Sequence, residues 1–321
     1  MSMGKASRTK ADVDRRARIA AQREAERRAQ QRKRIYLAGG SILAVAIVVV
    51  AFVLVKLNSS TATASNGPTG TALAAVTKQV STVPTSVTDK VAGGGVDKSL
   101  FIPSSQLSAA SAGGTSYFST VNGTALTASG KPEVLFVGAD YCPFCAAQRW
   151  AMVNALSRFG TFSGLTTTHS SSTDSYPNTP TYTFYKSTYK SNYITFTPVE
   201  ETSNEPDGNG GYKTLQTPTS AQQALLQAYD PGTGQGGAIP FLDLGNKYVQ
   251  VGNLSPLTPS LLSGKTWAQV ASAMNDPSSD IGKAELGNAN YMTAAICKLT
   301  NNLPATACTP TIQKLQADFA S

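Results

Sequence analysis

Residues Leu135–Trp150 read LFVGADYCPFCAAQRW, and they constrain the fold more than any other stretch. Glu133–Val137 is a short apolar run of the kind that forms a buried strand. From Cys142 the pattern changes, and Phe144, Ala147, Met152, Leu156 and Phe159 fall at helical spacing up to a stop at Gly160. Pro143 sits at the first turn of that helix, where a missing N–H costs nothing. A strand must therefore hand directly into a helix, with Cys142 at the helix start and Cys145 one turn on. The first cysteine is expected to be exposed, facing unsatisfied N–H groups and the positive end of the helix dipole, which favour its thiolate. The second lies on the same side and can close on the first.

Four cysteines and a single histidine, His169, narrow the chemistry of this pair. A zinc clip needs two further ligands, and the set is not there. Haem attachment needs a histidine after the second cysteine, where Ala146 stands. No metal and no cofactor is expected. A redox centre and an inert disulfide remain open. Asp140 is expected to be exposed, Arg149 to lie on a solvated helix face, and Trp150 and Met152 to pack in the core.

The charge is uneven. Residues 1–34 hold 12 Lys/Arg against 4 Asp/Glu, and the remainder holds 15 of each. Next comes Ile35–Val55, IYLAGGSILAVAIVVVAFVLV, with no charged residue. As a helix it would be roughly 31 Å long, enough to cross a bilayer. Arg32–Arg34 directly precedes it, which places the N-terminus in the cytoplasm and the body outside. A basic tail next to an apolar span is read as a topology signal, not as a nucleic-acid contact, and no base-reading motif accompanies it. A cleaved signal peptide is the competing reading, but the apolar run exceeds the usual h-region of about 7–15 residues. The expected organisation is a basic cytoplasmic tail (1–34), a single-pass membrane helix (35–56), a linker (57–71) and an extracytoplasmic domain (72–321), where disulfides persist.

Within that domain, Ala72–Ala92 looks helical at first and then turns, and Phe101–Gly130 reads as loops with a short strand. The Tyr- and Thr-rich stretch Tyr176–Glu200 alternates as a hairpin or two extended strands. Thr217–Asp230, Trp267–Met274, Asp280–Leu299 and Thr311–Phe319 read as helices. AIPFLDLGNKYVQVG, Ala238–Gly252, reads as two strands around a Gly245–Asn246 turn. Its Ile239–Pro240 step at the mouth of a strand is a candidate cis bond. Cys297 and Cys308 flank a short loop, spaced for a structural disulfide between the end of one helix and the start of the next. A second redox pair serving Cys142–Cys145 is the alternative.

These elements together resemble the thioredoxin superfamily, and the whole chain is similar to an uncharacterised, membrane-anchored, thioredoxin-like family known as domain of unknown function 929. The superfamily resemblance covers about Glu133–Met274. It implies an α/β fold with a central mixed sheet flanked by helices, an insertion at about 170–237 and a helical tail at about 278–321. It implies Cys142 as nucleophile and Cys145 as resolving thiol. Ile239 and Pro240 would hold the substrate backbone, with Phe144 at the rim. One departure stands out: reductases of this type often bury an acid six residues before the first cysteine, and Phe136 occupies that position. The expected function is therefore a membrane-tethered thiol–disulfide oxidoreductase, an oxidase or isomerase more than a reductase. Its partners would be protein thiols and disulfides and a membrane redox partner. The alternative is a redox-inert binding module of the cell envelope with a fixed Cys142–Cys145 disulfide.

Overall fold

A computed structural model describes residues 67–230 and 237–319. All belong to one unit that starts at Ala64. The strands are β1 (Phe101–Pro103), β2 (Tyr117–Thr120), β3 (Thr127–Ala128), β4 (Lys131–Gly138), β5 (Gly160–Ser163), β6 (Thr166–His169), β7 (Pro180–Thr183), β8 (Thr188–Ser191), β9 (Thr195–Glu200), β10 (Thr202–Pro206), β11 (Tyr212–Thr214), β12 (Phe241–Leu244) and β13 (Tyr248–Val251). The helices are α1 (Gly70–Ser81), α2 (Thr85–Val91), α3 (Leu107–Ala112), α4 (Pro143–Ser157), α5 (Ser220–Tyr229), α6 (Trp267–Met274), α7 (Asp280–Leu299) and α8 (Pro310–Leu315).

β4 lies at the centre of a mixed sheet. It pairs in parallel with β9, from Glu133 opposite Thr195 to Gly138 opposite Glu200. On its other side it pairs antiparallel with β12, Val137 opposite Phe241 and Val134 opposite Leu244. The sheet continues through β13 and β2 to β1. The two-residue period of a strand sends alternate side chains to opposite faces. Val134 and Phe136 therefore join one apolar cluster, while Leu135 and Val137 join another. The sheet is covered on both faces, which explains why β4 reads as a continuous apolar run.

α4 is buried on nearly every side, so its apolar residues form no stripe. It packs against α7, α1 and β7. α7, capped by Ser279, is buried along most of its length. Gly287 of α7 meets the Gly93–Gly94 turn so closely that a Cβ would lie 2.8 Å from the Gly93 carbonyl oxygen. The helical tail is thus part of the core.

Cys297 ends α7 and forms a disulfide with Cys308, eleven residues on. Both are buried. Closing a loop of that length is worth about 3 kcal/mol by the loop-entropy estimate. Cys297→Ala with Cys308→Ala is expected to lower unfolding free energy by that amount in urea titration. Equal unfolding free energies for the wild type and the double variant would contradict it.

Several expectations need correction. Residues Tyr176–Glu200 do not form a hairpin: β7 pairs with β6, β8 with β5, and β9 with β4. The alternating pattern specified strands but not their partners. The region 170–237 is consequently more than an insertion, because β9 belongs to the central sheet. Phe101–Gly130 contributes β1 and β2 to that sheet, although its small polar residues carry little strand signal. Gly160 does not end a helix but opens β5, packed so tightly that a Cβ would fall 2.4 Å from the Lys190 carbonyl oxygen. The basic tail, the apolar span and most of the linker lie outside the described residues. Among the described residues, no helix is long and apolar enough to cross a membrane.

Candidate redox site

β4 ends at Gly138, and the chain turns through Ala139–Tyr141 with the Cys142 N–H donating to the Ala139 carbonyl at 3.3 Å. Gly138 is required here. A Cβ would stand 2.4 Å from the Phe136 ring and 3.2 Å from the Cys145 sulfur. Cys142 is the N-cap of α4, with φ −76° and ψ 120°, and its Sγ accepts the Cys145 N–H at 3.2 Å. Pro143 occupies the first helical position. The sulfur therefore takes the place of the oxygen that normally caps a helix.

Both thiols are free, and they differ in environment. Burial pushes the Cys142 thiol up, but hydrogen bonds from the Cys145 side chain and N–H, the Arg149 charge and the Phe144 N–H outweigh it, and the net shift is down. Cys145 is pushed well up, by burial first and then by its neighbour sulfur. Cys142 was expected to be exposed, yet it is only 5% exposed; Cys145 is 0% exposed. The sequence showed the helix start but not the aromatic surroundings. Tyr141 stacks on Tyr212 with ring centres 4.5 Å apart, and Phe144 meets Tyr176 edge-on at 6.1 Å. Phe144 itself remains 43% exposed, and the surface at this end of the helix is therefore apolar.

Behind the thiols lies a buried ion cluster that was missed. Arg149 is 0% exposed, not solvated. Its Nε and Nη2 donate to the two Glu200 carboxylate oxygens at 2.9 and 2.5 Å. The Phe184 N–H adds a third donor to Glu200 at 3.1 Å. Asp140 is buried as well, with its Oδ1 3.5 Å from Arg149 Nη2 and otherwise unpartnered. Burial, opposed by Arg149, pushes the Asp140 carboxyl up to about 6. The position six residues before Cys142 is the fully buried Phe136, whose ring lies 5.7 Å below the Arg149 guanidinium. The buried charges enter instead from the turn, from α4 and from the end of β9. The available signal was an arginine in a helix with no polar face, and a glutamate ending a strand that pairs beside Gly138.

The later site residues come to the same end of the sheet. The Ile239–Pro240 bond is cis, and Pro240 is buried. The Asp230 carboxylate accepts the Ala238 N–H and fixes the approach to β12. The Ile239 N–H and C=O enter no backbone hydrogen bond among the described residues. Ile239 and Phe144 line one cavity of about 160 Å³. Cys297 and Cys308 are bonded to each other. No group of three His, Cys, Asp or Glu among the described residues could hold a metal ion.

Three buried carboxyls make stability pH-dependent. Burial pushes Asp243 up to about 7 and Glu285, on α7, well up. A carboxyl whose folded pKa exceeds its unfolded value binds its proton more tightly when folded. Its contribution is greatest below the unfolded pKa and is lost as pH rises through the folded one. For Asp140 and Asp243 that window runs from 3.8 to about 6 and about 7. Each group changes stability by about 1.4 kcal/mol per pH unit inside its window. Urea unfolding should therefore show higher stability at pH 5 than at pH 8, and Glu285→Gln should flatten the difference. Equal stability at the two pH values would contradict it.

The family described as Domain of unknown function (DUF929) matches residues 117–298, which span the sheet from β2 onward, both thiols and most of α7. No curated protein and no solved structure matches the chain.

Proposed function

The chain belongs to the DUF929 family, and from that premise we propose that this protein is a thioredoxin-like thiol–disulfide oxidoreductase, tethered to the membrane with its domain outside the cytoplasm. The observation that carries the reading is the asymmetric dithiol: a helix-capping sulfur with depressed pKa beside a sealed one with raised pKa. The strand order β9–β4–β12–β13 supports the thioredoxin-like assignment. So does the connection of β4 to parallel β9 through α4, followed by α5, an antiparallel pair and α6.

Oxidation of a client dithiol starts from the Cys142–Cys145 disulfide. A client thiolate attacks Cys142 Sγ and forms a mixed disulfide, and Cys145 leaves as the thiolate and takes a proton. The client's second thiolate then attacks its own sulfur in the mixed disulfide and releases Cys142 as the thiolate. Two electrons pass from client to enzyme. The reverse sequence reduces or isomerises a client disulfide, with Cys142 attacking and Cys145 resolving. Stabilising the Cys142 thiolate stabilises the reduced pair, which makes the disulfide the stronger oxidant. Oxidation or isomerisation is therefore favoured over reduction. A membrane redox partner would reoxidise the pair, and Ile35–Val55 would anchor the domain beside it. The unpaired Ile239 backbone groups offer an extended client chain two hydrogen bonds next to the sulfur.

The rival reading, a redox-inert envelope module, draws on the 5% exposure of Cys142. The two readings are separated by oxidation of a dithiol peptide by the full-length chain in detergent, catalysed by wild type and abolished in Cys142→Ser. Equal rates in both proteins would remove the enzyme reading.

A further inference from the structure

Next to the Cys-Pro-Phe-Cys turn, with Phe144 in its wall, there is a cavity that the exchange chemistry itself does not use. Its walls are Phe144 from the Cys-Pro-Phe-Cys turn, Ala238 and Ile239 before β12, Val251 at the end of β13, and Thr115 and Ser116 from the turn between α3 and β2. The last two come from the stretch preceding β4, so the outer wall is built by a part of the chain remote in sequence from both the thiols and the proline. That wall is held in place. A Cβ at Gly252, where φ is +68°, would fall 2.4 Å from Ser116 Oγ. Ser111, in the helix before the turn, donates its hydroxyl to the Tyr229 carbonyl at 3.3 Å.

The lining chemistry is selective. Phe144, Ala238, Ile239 and Val251 form an apolar side, and Ser111, Thr115 and Ser116 a polar one. The one ionisable group, Asp230, is buried, and its carboxylate accepts the Ala238 N–H. Among the described residues, no lysine or arginine lines the space. At about 160 Å³ the cavity matches the size, about 150 Å³, at which an apolar cavity holds a benzene-sized group.

We infer that this cavity is a specificity pocket that takes one leucine-, methionine- or phenyl-sized side chain near the reacting cysteine of an extended polypeptide client. The inference rests on the thiol–disulfide reading and names its substrate class. Clients are cysteine-containing chains with a medium apolar residue near the cysteine. Chains with lysine or glutamate there are disfavoured: glutamate meets no cation among the described lining residues, and lysine meets only the buried Asp230 carboxylate, already engaged by the Ala238 N–H. Alanine leaves the space unfilled.

The test uses full-length protein and peptides Xaa-Gly-Cys-Gly-Xaa, as their homodisulfides, with Xaa as Leu, Phe, Ala or Lys and with reduced glutathione returning the Cys142–Cys145 pair to the dithiol after each cycle. Several missing methylenes in an apolar pocket should separate Leu from Ala by ten-fold or more in kcat/KM. Thr115 is exposed on the rim, and Thr115→Trp fills the cavity from outside without entering the core. It should bring the Leu-to-Ala ratio close to one. General damage would lower both rates and keep the ratio. Calorimetry with the same peptides carrying Ser for Cys reads the pocket without the chemistry and should give the same ranking. The inference is overturned if wild type treats Leu, Ala and Lys alike, or if Thr115→Trp retains the ratio. Leu-selective binding without any disulfide turnover would uphold the pocket and remove the redox reading.

Discussion

Cys145→Ser is expected to capture clients in a covalent complex that persists until a reductant is added, while Cys142→Ser captures none. The asymmetry of the site requires this difference. Cys142 caps α4 with its sulfur, is the one of the two with residual exposure, and has its thiol shifted down. It can attack without its partner. Cys145 is sealed beneath it, with its thiol shifted well up. It can act only on a sulfur already bound to Cys142. Removing it leaves attack intact and deletes resolution, which extends the lifetime of the mixed disulfide by orders of magnitude. Non-reducing electrophoresis of the full-length chain with a disulfide peptide reads the adduct directly. Both single variants should lose steady-state turnover by about a thousand-fold or more, as expected when a covalent nucleophile or its partner is deleted. Adduct on Cys145 in Cys142→Ser would reverse the assignment.

The second large effect concerns the ion cluster. Arg149→Met should destabilise the domain by about 3–5 kcal/mol, because it leaves Glu200 buried with no countercharge. Glu200 is fully buried and keeps only the Phe184 N–H as a donor to its carboxylate. Asp140 would lose the charge that opposes its burial. Adding Glu200→Gln should recover most of the loss, since the cost lies in the orphaned charge and not in the absence of the pair. Urea titration of the two single variants and the double variant measures the coupling. The same change acts on chemistry. Arg149 lowers both thiols, so Arg149→Met should raise the reactive pKa of Cys142. A surface arginine would produce neither effect.

How much of this was legible in the sequence varied with the range of the interaction. β4, α4, α6, α7 and the β12–β13 pair follow from local pattern. Their apolar periods, Pro143, and the Gly245–Asn246 turn act within a few residues of themselves. Pairing partners depend on distant segments. β9 was visible as a strand, but its place beside β4 was not, because alternation of Tyr, Thr and Phe is the same for a hairpin and a sheet centre. Charged residues misled for a related reason. Asp140 and Arg149 read as solvated because most such residues are, and only Glu200, fifty-one residues beyond Arg149, makes their burial tolerable. The exposure of Cys142 was overestimated because Tyr212 and Tyr176, which flank the site through Tyr141 and Phe144, come from the region taken as an insertion. The pocket wall at Thr115–Ser116 carried no signal at all, being small polar residues in a turn.

The most direct test of the central claim is the pH dependence of alkylation of the reduced full-length protein by iodoacetamide, with the modified cysteine identified by mass spectrometry. The account predicts that Cys142 is modified first, with an apparent pKa below that of an ordinary thiol, while Cys145 stays unmodified until the protein unfolds. Modification of Cys145 at a rate equal to Cys142, or an ordinary or raised pKa at Cys142, would contradict it.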